Sequence, residues 1–212
     1  MKKLILILAI FITSGIIRAQ SNYGVMGGIN LSTSSVKGAE LQPGGFIGGL
    51  LDLRIKNNLY FQPRIMLSYQ ENLREMNNPF SSSKEKIGDE YCSQWAITIP
   101  TLLSFKKELT NDALLGINIG PYLQYAVFGR SKRAVTYYKL IEEKVYPETH
   151  IDDLRWWHLD LKDKITYGVQ IGMQVSYKNF FGAIDYKHSL RRSYFNMEGY
   201  ENTILIGVGY KF

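Results

Sequence analysis

Thr203-Ile204-Leu205-Ile206-Gly207-Val208-Gly209-Tyr210-Lys211-Phe212 is the stretch of sequence that decides the fold of this chain. Its even-numbered residues are all apolar or aromatic, and its odd-numbered residues are small or polar except for Leu205. Because successive side chains of a β-strand point to opposite faces, the pattern predicts a strand with one apolar face. Bacterial outer-membrane barrels commonly finish with such a strand, so the stretch predicts the closing strand of a barrel.

The aromatic residue at the end of this strand predicts a location and a partner. Phe212 is expected in the girdle of aromatic residues at the periplasmic membrane interface, where the outer-membrane assembly machinery recognises the closing strand. Tyr210 on the same strand, and Tyr167 and Tyr177 at the two ends of another apolar row, are the other predicted girdle residues. The predicted location is the cell outer membrane, with its lipid as a partner.

The first 19 residues predict a secretory signal peptide. Lys2 and Lys3 are basic, residues 4–12 are apolar, and Ala19 is a small residue suited to precede a cleavage site. An uncleaved anchor helix is the alternative, and the short apolar segment disfavours it. Residues 20–212 then form one barrel domain. Cys92 is the single cysteine, cannot form an internal disulfide, and is expected in a loop.

The composition agrees with a membrane barrel. The mean hydropathy is only −0.14, as expected if every strand combines an apolar face with a polar lumen face. The 15 Tyr, 10 Phe and 3 Trp residues suit interfacial girdles. The net charge of +6 is scattered and belongs partly to the signal peptide, so no nucleic-acid partner is expected.

Alternation of the same kind recurs along the chain and predicts about eight strands, an even number as in bacterial barrels. In the clearest example, residues 167–177, every second residue is apolar or aromatic and the residues between are Gly, Gln or Ser. The predicted strands are residues 23–33, 45–55, 59–70, 94–106, 113–128, 167–177, 180–189 and 203–212. The predicted fold is therefore an all-β, up-and-down antiparallel transmembrane barrel.

The connections between these strands alternate strictly between short and long. The short ones fall at residues 56–58, 107–112 and 178–179, and the long ones at 34–44, 71–93, 129–163 and 190–202. Outer-membrane barrels have short periplasmic turns and long extracellular loops. Both termini are therefore expected in the periplasm.

The direction in which the apolar face points decides between two functions. In a soluble or periplasmic lipocalin-like carrier the apolar face surrounds a ligand, whereas in a membrane barrel it meets lipid. The polar face here is rich in Gly and carries both signs of charge, as a crowded and internally paired lumen requires. We favour the membrane arrangement, with a filled lumen and no open channel. The predicted lumen charges are Asp52, Arg54, Arg64, Asp185 and Lys187.

A series of motifs carries a family resemblance. In order, they are Tyr23-Gly-Val-Met-Gly-Gly-Ile-Asn-Leu-Ser32, Pro43-Gly-Gly-Phe-Ile-Gly-Gly49, Leu59-Tyr-Phe-Gln-Pro63, Leu67-Ser-Tyr69, Ile97-Thr-Ile-Pro100-Thr-Leu-Leu-Ser-Phe105, Gly116-Ile-Asn-Ile-Gly-Pro-Tyr122, Tyr167-Gly168-Val-Gln-Ile-Gly172 and Ile206-Gly-Val-Gly-Tyr-Lys-Phe212. This series resembles the PorT-like outer-membrane β-barrel family, typical of Bacteroidetes-type bacteria. The resemblance covers nearly the whole mature chain apart from the long loops.

The resemblance implies an integral outer-membrane barrel and an accessory role in secretion, because the family is named after a protein required for type IX secretion. One position departs from the family pattern. An acidic residue usually follows the Pro of the third strand, where this chain has Arg64. A lumen charge pair built on that position is therefore expected to be rearranged.

Residues that could carry chemistry are few, and we expect no catalytic residue, metal site or cofactor. His150, Asp152, Asp153, His158 and Asp160 combine imidazoles and carboxylates in one long loop, but their spacing matches no closed-site motif. An outer-membrane enzyme with a site at the extracellular rim is the alternative hypothesis.

The pair Trp156-Trp157 is the most notable aromatic feature of the loops. It is interpreted as part of an interface girdle, with an anchor for a partner as the second interpretation. The function predicted from the sequence is a structural or binding role through the long extracellular loops. A protein partner would bind at these loops or at the periplasmic turns.

Overall fold

The computed structural model describes residues 21–77, 86–141, 144–155, 160–192 and 199–212. The strands and the single-turn helix along these residues are β1 (Ser21–Ser34), β2 (Ala39–Glu40), β3 (Gln42–Lys56), β4 (Leu59–Asn77), β5 (Lys86–Thr110), β6 (Ala113–Ile141), β7 (Lys144–Arg155), α1 (Leu161–Lys164), β8 (Ile165–Tyr177), β9 (Phe180–Ser189) and β10 (Glu201–Lys211). Within these ranges, no helix has the length and apolar character needed to cross a membrane. The predicted signal peptide lies outside the described residues.

Eight of these strands close into a barrel, and every neighbouring pair in it is antiparallel. Around the barrel the order is β1, β3, β4, β5, β6, β8, β9 and β10, and β10 pairs back with β1. The closing pair runs from Gly24 opposite Lys211 to Ser34 opposite Glu201. The predicted up-and-down barrel of eight strands is confirmed.

Two-residue connections join the strands at one end of the barrel, which we call the turn end. They are residues 57–58, 111–112 and 178–179. The first residue has a positive φ in two of them, 46° at Asn57 and 52° at Lys178, which suits tight β-hairpins. The start of β1 and the end of β10 lie at this end too, where the Phe212 amide donates to the Tyr23 carbonyl at 2.8 Å. The opposite end, which we call the loop end, carries the connections that were expected to be long.

Strands at the loop end continue further than the sequence pattern predicts. β4 continues to Asn77, β5 starts at Lys86 and β6 continues to Ile141, all within segments expected to be loops. Their residues are paired with neighbouring strands in the backbone ladder. Strand formation depends strongly on pairing with neighbouring strands, so the polar composition of these segments did not indicate that they form strands.

β6 and β7 form a hairpin at the loop end. Their pairing starts at Arg130 opposite Arg155 and ends at Ile141 opposite Lys144. The hairpin lies beyond the last β6–β8 pair, Tyr125 opposite Ile165, so it extends past the strand that follows it in the barrel. We refer to residues 130–155 as the loop-end hairpin.

The apolar face of the strands points outward and the polar face points inward. Ile171, Val175 and Val208 are 50%, 52% and 72% exposed on the outer surface. Along β8 and β10, the residues between these outward positions are buried almost without exception. This arrangement contradicts the lipocalin-like alternative, in which the apolar face would surround a ligand.

Among the described residues, an apolar cluster lies between the polar side chains of the barrel interior. Its members are Met26, Phe46, Leu50, Met66, Phe181 and Leu205. Two glycines of the closing strand make room for its rings. A Cβ at Gly209 would lie 2.2 Å from the ring of Phe181, and a Cβ at Gly207 would lie 2.7 Å from the ring of Phe46. Glycine at positions 207 and 209 of the closing strand is therefore required for the packing of these two rings in the lumen.

The expectation that Cys92 lies in a loop was wrong. Cys92 lies in β5, 1% exposed, and its Sγ donates to Ser131 Oγ of β6 at 3.2 Å. The error has the same cause as the misplaced strand ends, since β5 starts well before the predicted residue 94. A buried thiol reacts poorly with polar reagents, so Cys92 does not report which end of the barrel is outside.

Candidate functional site

The charged side chains inside the barrel are the candidate functional site. Within the described residues, four acidic and four basic side chains are at most 8% exposed. They are Asp52, Glu90, Asp185, Glu201, Arg64, Lys106, Lys187 and Lys211. Charges removed from water to this extent must be paired, because an isolated buried charge costs several kcal/mol (about 3–5 when one partner is removed).

The first group of charges lies near the turn end. The ammonium groups of Lys106 and Lys211 both contact Oδ2 of Asp52, Lys211 at 3.0 Å. Nζ of Lys106 also lies 4.2 Å from the centre of the Tyr60 ring, a cation–π distance. This group joins strands β3, β5 and β10 across the lumen.

The second group lies near the middle of the barrel. Arg64 Nη1 donates to Asp185 Oδ2 at 2.7 Å, which joins β4 to β9. The same guanidinium donates through Nη2 to Gln62 Oε1 at 2.7 Å, and Gln62 donates in turn to Gln174 of β8 at 3.3 Å. The Arg64 side chain is fully buried and bridges the lumen.

The third group lies toward the loop end. Lys187 of β9 pairs with Glu201 of β10 at 2.7 Å and donates to Gln124 Oε1 at 2.6 Å. Gln70 of β4 and Gln124 of β6 both donate to the Glu201 carboxylate. Gln94 donates to Gln70 at 3.0 Å and extends the network to β5. Five strands therefore meet in one hydrogen-bonded layer that crosses the lumen.

The structure differs from the sequence expectation at Arg54. Asp52, Arg64, Asp185 and Lys187 are buried in the barrel, but Arg54 is exposed at the turn end and its Nε donates to the Asn57 carbonyl at 2.8 Å. Alternation continues through Arg54, which pairs with Tyr60 in the β3–β4 ladder, but Arg54 lies only three residues before Asn57 of the turn, where the end of the barrel meets solvent. Arg54 is therefore not a lumen charge.

Four of the eight buried charges were missing from the sequence prediction. Glu90 lies in the part of β5 that was expected to be a loop, and the other three lie within or next to predicted strands. Lys106 and Lys211 lie on the predicted polar faces of their strands and could have been found by alternation alone. Glu201 lies two residues before the predicted start of the closing strand, and extending the pattern back from Thr203 would have included it. Alternation carries the signal for all three, and the uncertain strand ends conceal it.

Aromatic side chains lie on the outer surface at both ends of the barrel. At the turn end, the rings of Tyr23 and Phe212 stack at 5.1 Å, and Phe180 meets Tyr210 at the same distance. Tyr177 is 57% exposed nearby, at the end of β8, and Tyr167 is 47% exposed near the loop end of β8. Ten residue steps separate these two tyrosines, about 33 Å along a strand, or roughly 25 Å at a ~40° tilt. This is the height of the apolar band of an outer-membrane barrel.

The His and Asp residues of the long loop that were considered as a possible site do not form one cluster in the described structure. Asp153 in the loop-end hairpin accepts a hydrogen bond from Arg130 Nε at 2.8 Å, and this contact lowers the pKa of the Asp153 carboxyl. Asp160 is exposed and lies 3.5 Å from Lys162. The structure places His150 in β7 without describing its side chain, and His158, Trp156 and Trp157 lie outside the described residues. In the part of the chain that is described, no group of His, Cys, Asp and Glu could hold a metal ion.

A closed antiparallel barrel with a lipid-facing apolar band and a charged, filled interior defines the class of integral outer-membrane barrel proteins. The chain belongs to the outer membrane protein beta-barrel domain family, whose model matches residues 18–194. It is a small protein of the outer membrane, as the sequence predicted.

The solved structures that are similar to the chain include three outer-membrane or surface proteins. The attachment invasion locus protein Ail of Yersinia pestis is 13% identical, with a TM-score of 0.42 over 91% of this chain and 99% of Ail. OprG of Pseudomonas aeruginosa is 9% identical, with a TM-score of 0.45 over 92% of this chain and 97% of OprG. Neisserial surface protein A is 13% identical, with a TM-score of 0.41 over 90% and 97%. No curated protein matches the chain.

Proposed function

We propose that this protein is a closed, non-conducting barrel whose function is structural or depends on binding at its loop end. The observation that carries the proposal is the filled lumen, in which Arg64, Gln124 and Lys187 reach across to partners on other strands. Eight strands enclose a space just wide enough for side chains. Because side chains occupy the lumen, a binding partner would contact the protein at one of the two ends of the barrel.

The loop end is proposed to face the cell exterior and the turn end the periplasm. This orientation is supported by the segregation of the two-residue connections to one end, since outer-membrane barrels have short periplasmic turns. Cleavage after Ala19 would release the mature N-terminus on the same side. The aromatic rings around Phe212 then form the periplasmic girdle, in contact with lipid and accessible to the assembly machinery.

The loop-end hairpin is the proposed binding element. In the described residues, β7 pairs with β6 alone, so one edge of its backbone has no strand partner. Exposed strand edges recruit extended segments of other proteins. The similarity to PorT-like barrels adds an accessory role in secretion as the candidate process. An enzyme at the loop-end rim is the second candidate, and the described residues contain no group of His, Cys, Asp and Glu that could hold a metal ion for it.

The filled lumen predicts a lack of channel activity. Purified protein in planar bilayers should show no steady open state under an applied voltage, because the hydrogen-bonded layers block ion passage. A variant with Gln62→Ala, Gln124→Ala and Gln174→Ala removes neutral bridging side chains and should conduct more than the unchanged protein. A steady ion-passing state of the unchanged protein would contradict the closed barrel.

Shortening the loop-end hairpin should abolish partner binding and leave the barrel intact. Replacing residues 137–148 by Asn-Gly keeps Thr136 opposite Thr149 and preserves the β5–β6 pairing, and Asn-Gly favours a two-residue hairpin turn. Proteins recovered with the detergent-solubilised full-length chain are compared with those recovered with the shortened variant. Retained heat-modifiable migration in electrophoresis shows that the variant is folded. Recovery of the same partners at the same yield would exclude the hairpin as the binding element.

A further inference from the structure

A small pocket opens at the turn end of the lumen, between the first charged group and the connecting turns. Its volume is about 240 Å³. Its lining includes Asp52, Tyr60, Lys106, Lys178 and Lys211. A water molecule takes a share of roughly 30 Å³ in the liquid, so the pocket has room for a small ion with several waters.

The charges that line this pocket do not balance. Lys106 and Lys211 share the single carboxylate of Asp52, and the side chains of all three are at most 9% exposed. The other two lumen pairs, Arg64 with Asp185 and Lys187 with Glu201, each match one base with one acid. The pocket therefore carries one unmatched positive charge at its buried base, and the exposed Lys178 at its rim adds another.

The hydrogen bonds of Asp52 are unbalanced as well. Both lysines contact Oδ2, while Oδ1 is buried and has no hydrogen-bond partner. An occupant that satisfies this site would offer acceptor oxygens to the two ammonium groups and a hydroxyl or a bound water to Oδ1. An oxyanion has this chemistry, and a hydrogen phosphate ion has both functions in one molecule.

We propose that the turn-end pocket binds a small oxyanion, a phosphate or carboxylate group, between Lys106 and Lys211. The anion neutralises the unmatched buried charge, which is otherwise unfavourable in the barrel interior. The rings of Tyr60 and Phe181 pack over the two ammonium groups and restrict their positions. The site lies at the opposite end of the barrel from the loop-end hairpin, so it does not depend on the binding role proposed there.

Titration calorimetry on the full-length detergent-solubilised protein tests the site, with sodium phosphate and sodium acetate as separate probes and chloride held constant. We expect saturable one-to-one binding of at least one probe, and the preferred probe identifies a phosphate or a carboxylate as the ligand class. Lys106→Met or Lys211→Met should weaken that binding at least tenfold. Lys107→Met is the matched control, because Lys107 is the next residue on β5 and is exposed on the outer surface.

Asp52→Asn keeps the experiment informative if a lysine variant fails to fold. It removes the competing carboxylate and retains both ammonium groups, so the anion should bind more tightly than to the unchanged protein. Weaker binding to Asp52→Asn would overturn the proposal. Absence of saturable binding of both probes at millimolar concentrations, or an equal loss in Lys107→Met, would also overturn it.

Discussion

We expect Arg64→Met to lower the free energy of unfolding of the barrel by about 3–5 kcal/mol, the cost of leaving one member of a buried ion pair alone. The Arg64 side chain is fully buried, and Asp185, its partner at 2.7 Å, is buried too. Asp185 Oδ1 already lacks a hydrogen-bond partner, so removing the guanidinium leaves the whole carboxylate unpaired. Urea unfolding of the protein in lipid vesicles measures the change.

Two comparisons isolate the pair. Arg64→Met combined with Asp185→Asn removes the lone charge and should recover more than half of the lost stability. Arg130→Met breaks the exposed ion pair with Asp153 in the loop-end hairpin and should cause no measurable change, because exposed pairs contribute little. A double variant as unstable as the single Arg64→Met variant would show that the pairing is not the source of the loss.

The second large effect is expected on the outer surface. Ile171→Arg should lower the free energy of unfolding in lipid by about 2–4 kcal/mol, because Ile171 lies at the middle of β8 and the substitution places a charge near the bilayer midplane. Ile151→Arg is the matched control. Ile151 is also an exposed apolar strand residue, at 70%, but it lies in the loop-end hairpin beyond the barrel.

The control should change stability by no more than about 0.5 kcal/mol, as surface substitutions in water usually do. The same urea titration in vesicles measures both variants. Equal effects at the two positions would mean that Ile171 does not face the hydrocarbon region. A larger effect at Ile151 would mean that the hydrocarbon region surrounds the loop-end hairpin and not the middle of β8, which contradicts the account.

The barrel strands and their two faces were predictable from the sequence because alternation records side-chain direction directly. In β8 the sequence already assigns residues to the two faces. Tyrosines begin and end the apolar row of outward residues, and the inward residues are Gly, Gln or Ser. The outward direction of the apolar face needed more than alternation, since a lipocalin has the same pattern with the faces exchanged. The Gly-rich, mixed-charge inner face supplied that second signal.

The ends of the strands and the pairs across the lumen were not predictable in the same way. β4 and β5 continue into polar segments because each serves as the other's ladder partner, a long-range effect that local composition does not record. Arg64 and Asp185 are 121 positions apart in the chain. Alternation shows which charges point inward, but it does not show which of them form a pair. Arg54 was misplaced because it lies at the turn end of β3, where alternation gives the face of a side chain but not its burial.

The three charged groups explain how so polar a lumen is stable. Each group joins strands that are distant around the barrel, as Asp52 of β3 does with Lys106 of β5 and Lys211 of β10. The buried Gln side chains link the middle and loop-end groups to further strands through hydrogen bonds. Such an interior resists water entry and fixes the register of the strands, which leaves the loop end and the turn end free to differ in function.

Labelling of two introduced cysteines on intact cells is the most direct test of a barrel that spans the outer membrane with its loop end outside. Leu161→Cys places a thiol at an exposed loop-end position, and Asn58→Cys places one in an exposed turn at the opposite end. The buried Cys92 of the unchanged protein supplies the background. A membrane-impermeant maleimide should label Leu161→Cys on intact cells, and Asn58→Cys only after the outer membrane is disrupted. Labelling of Asn58→Cys on intact cells, or protection of both, would contradict the account.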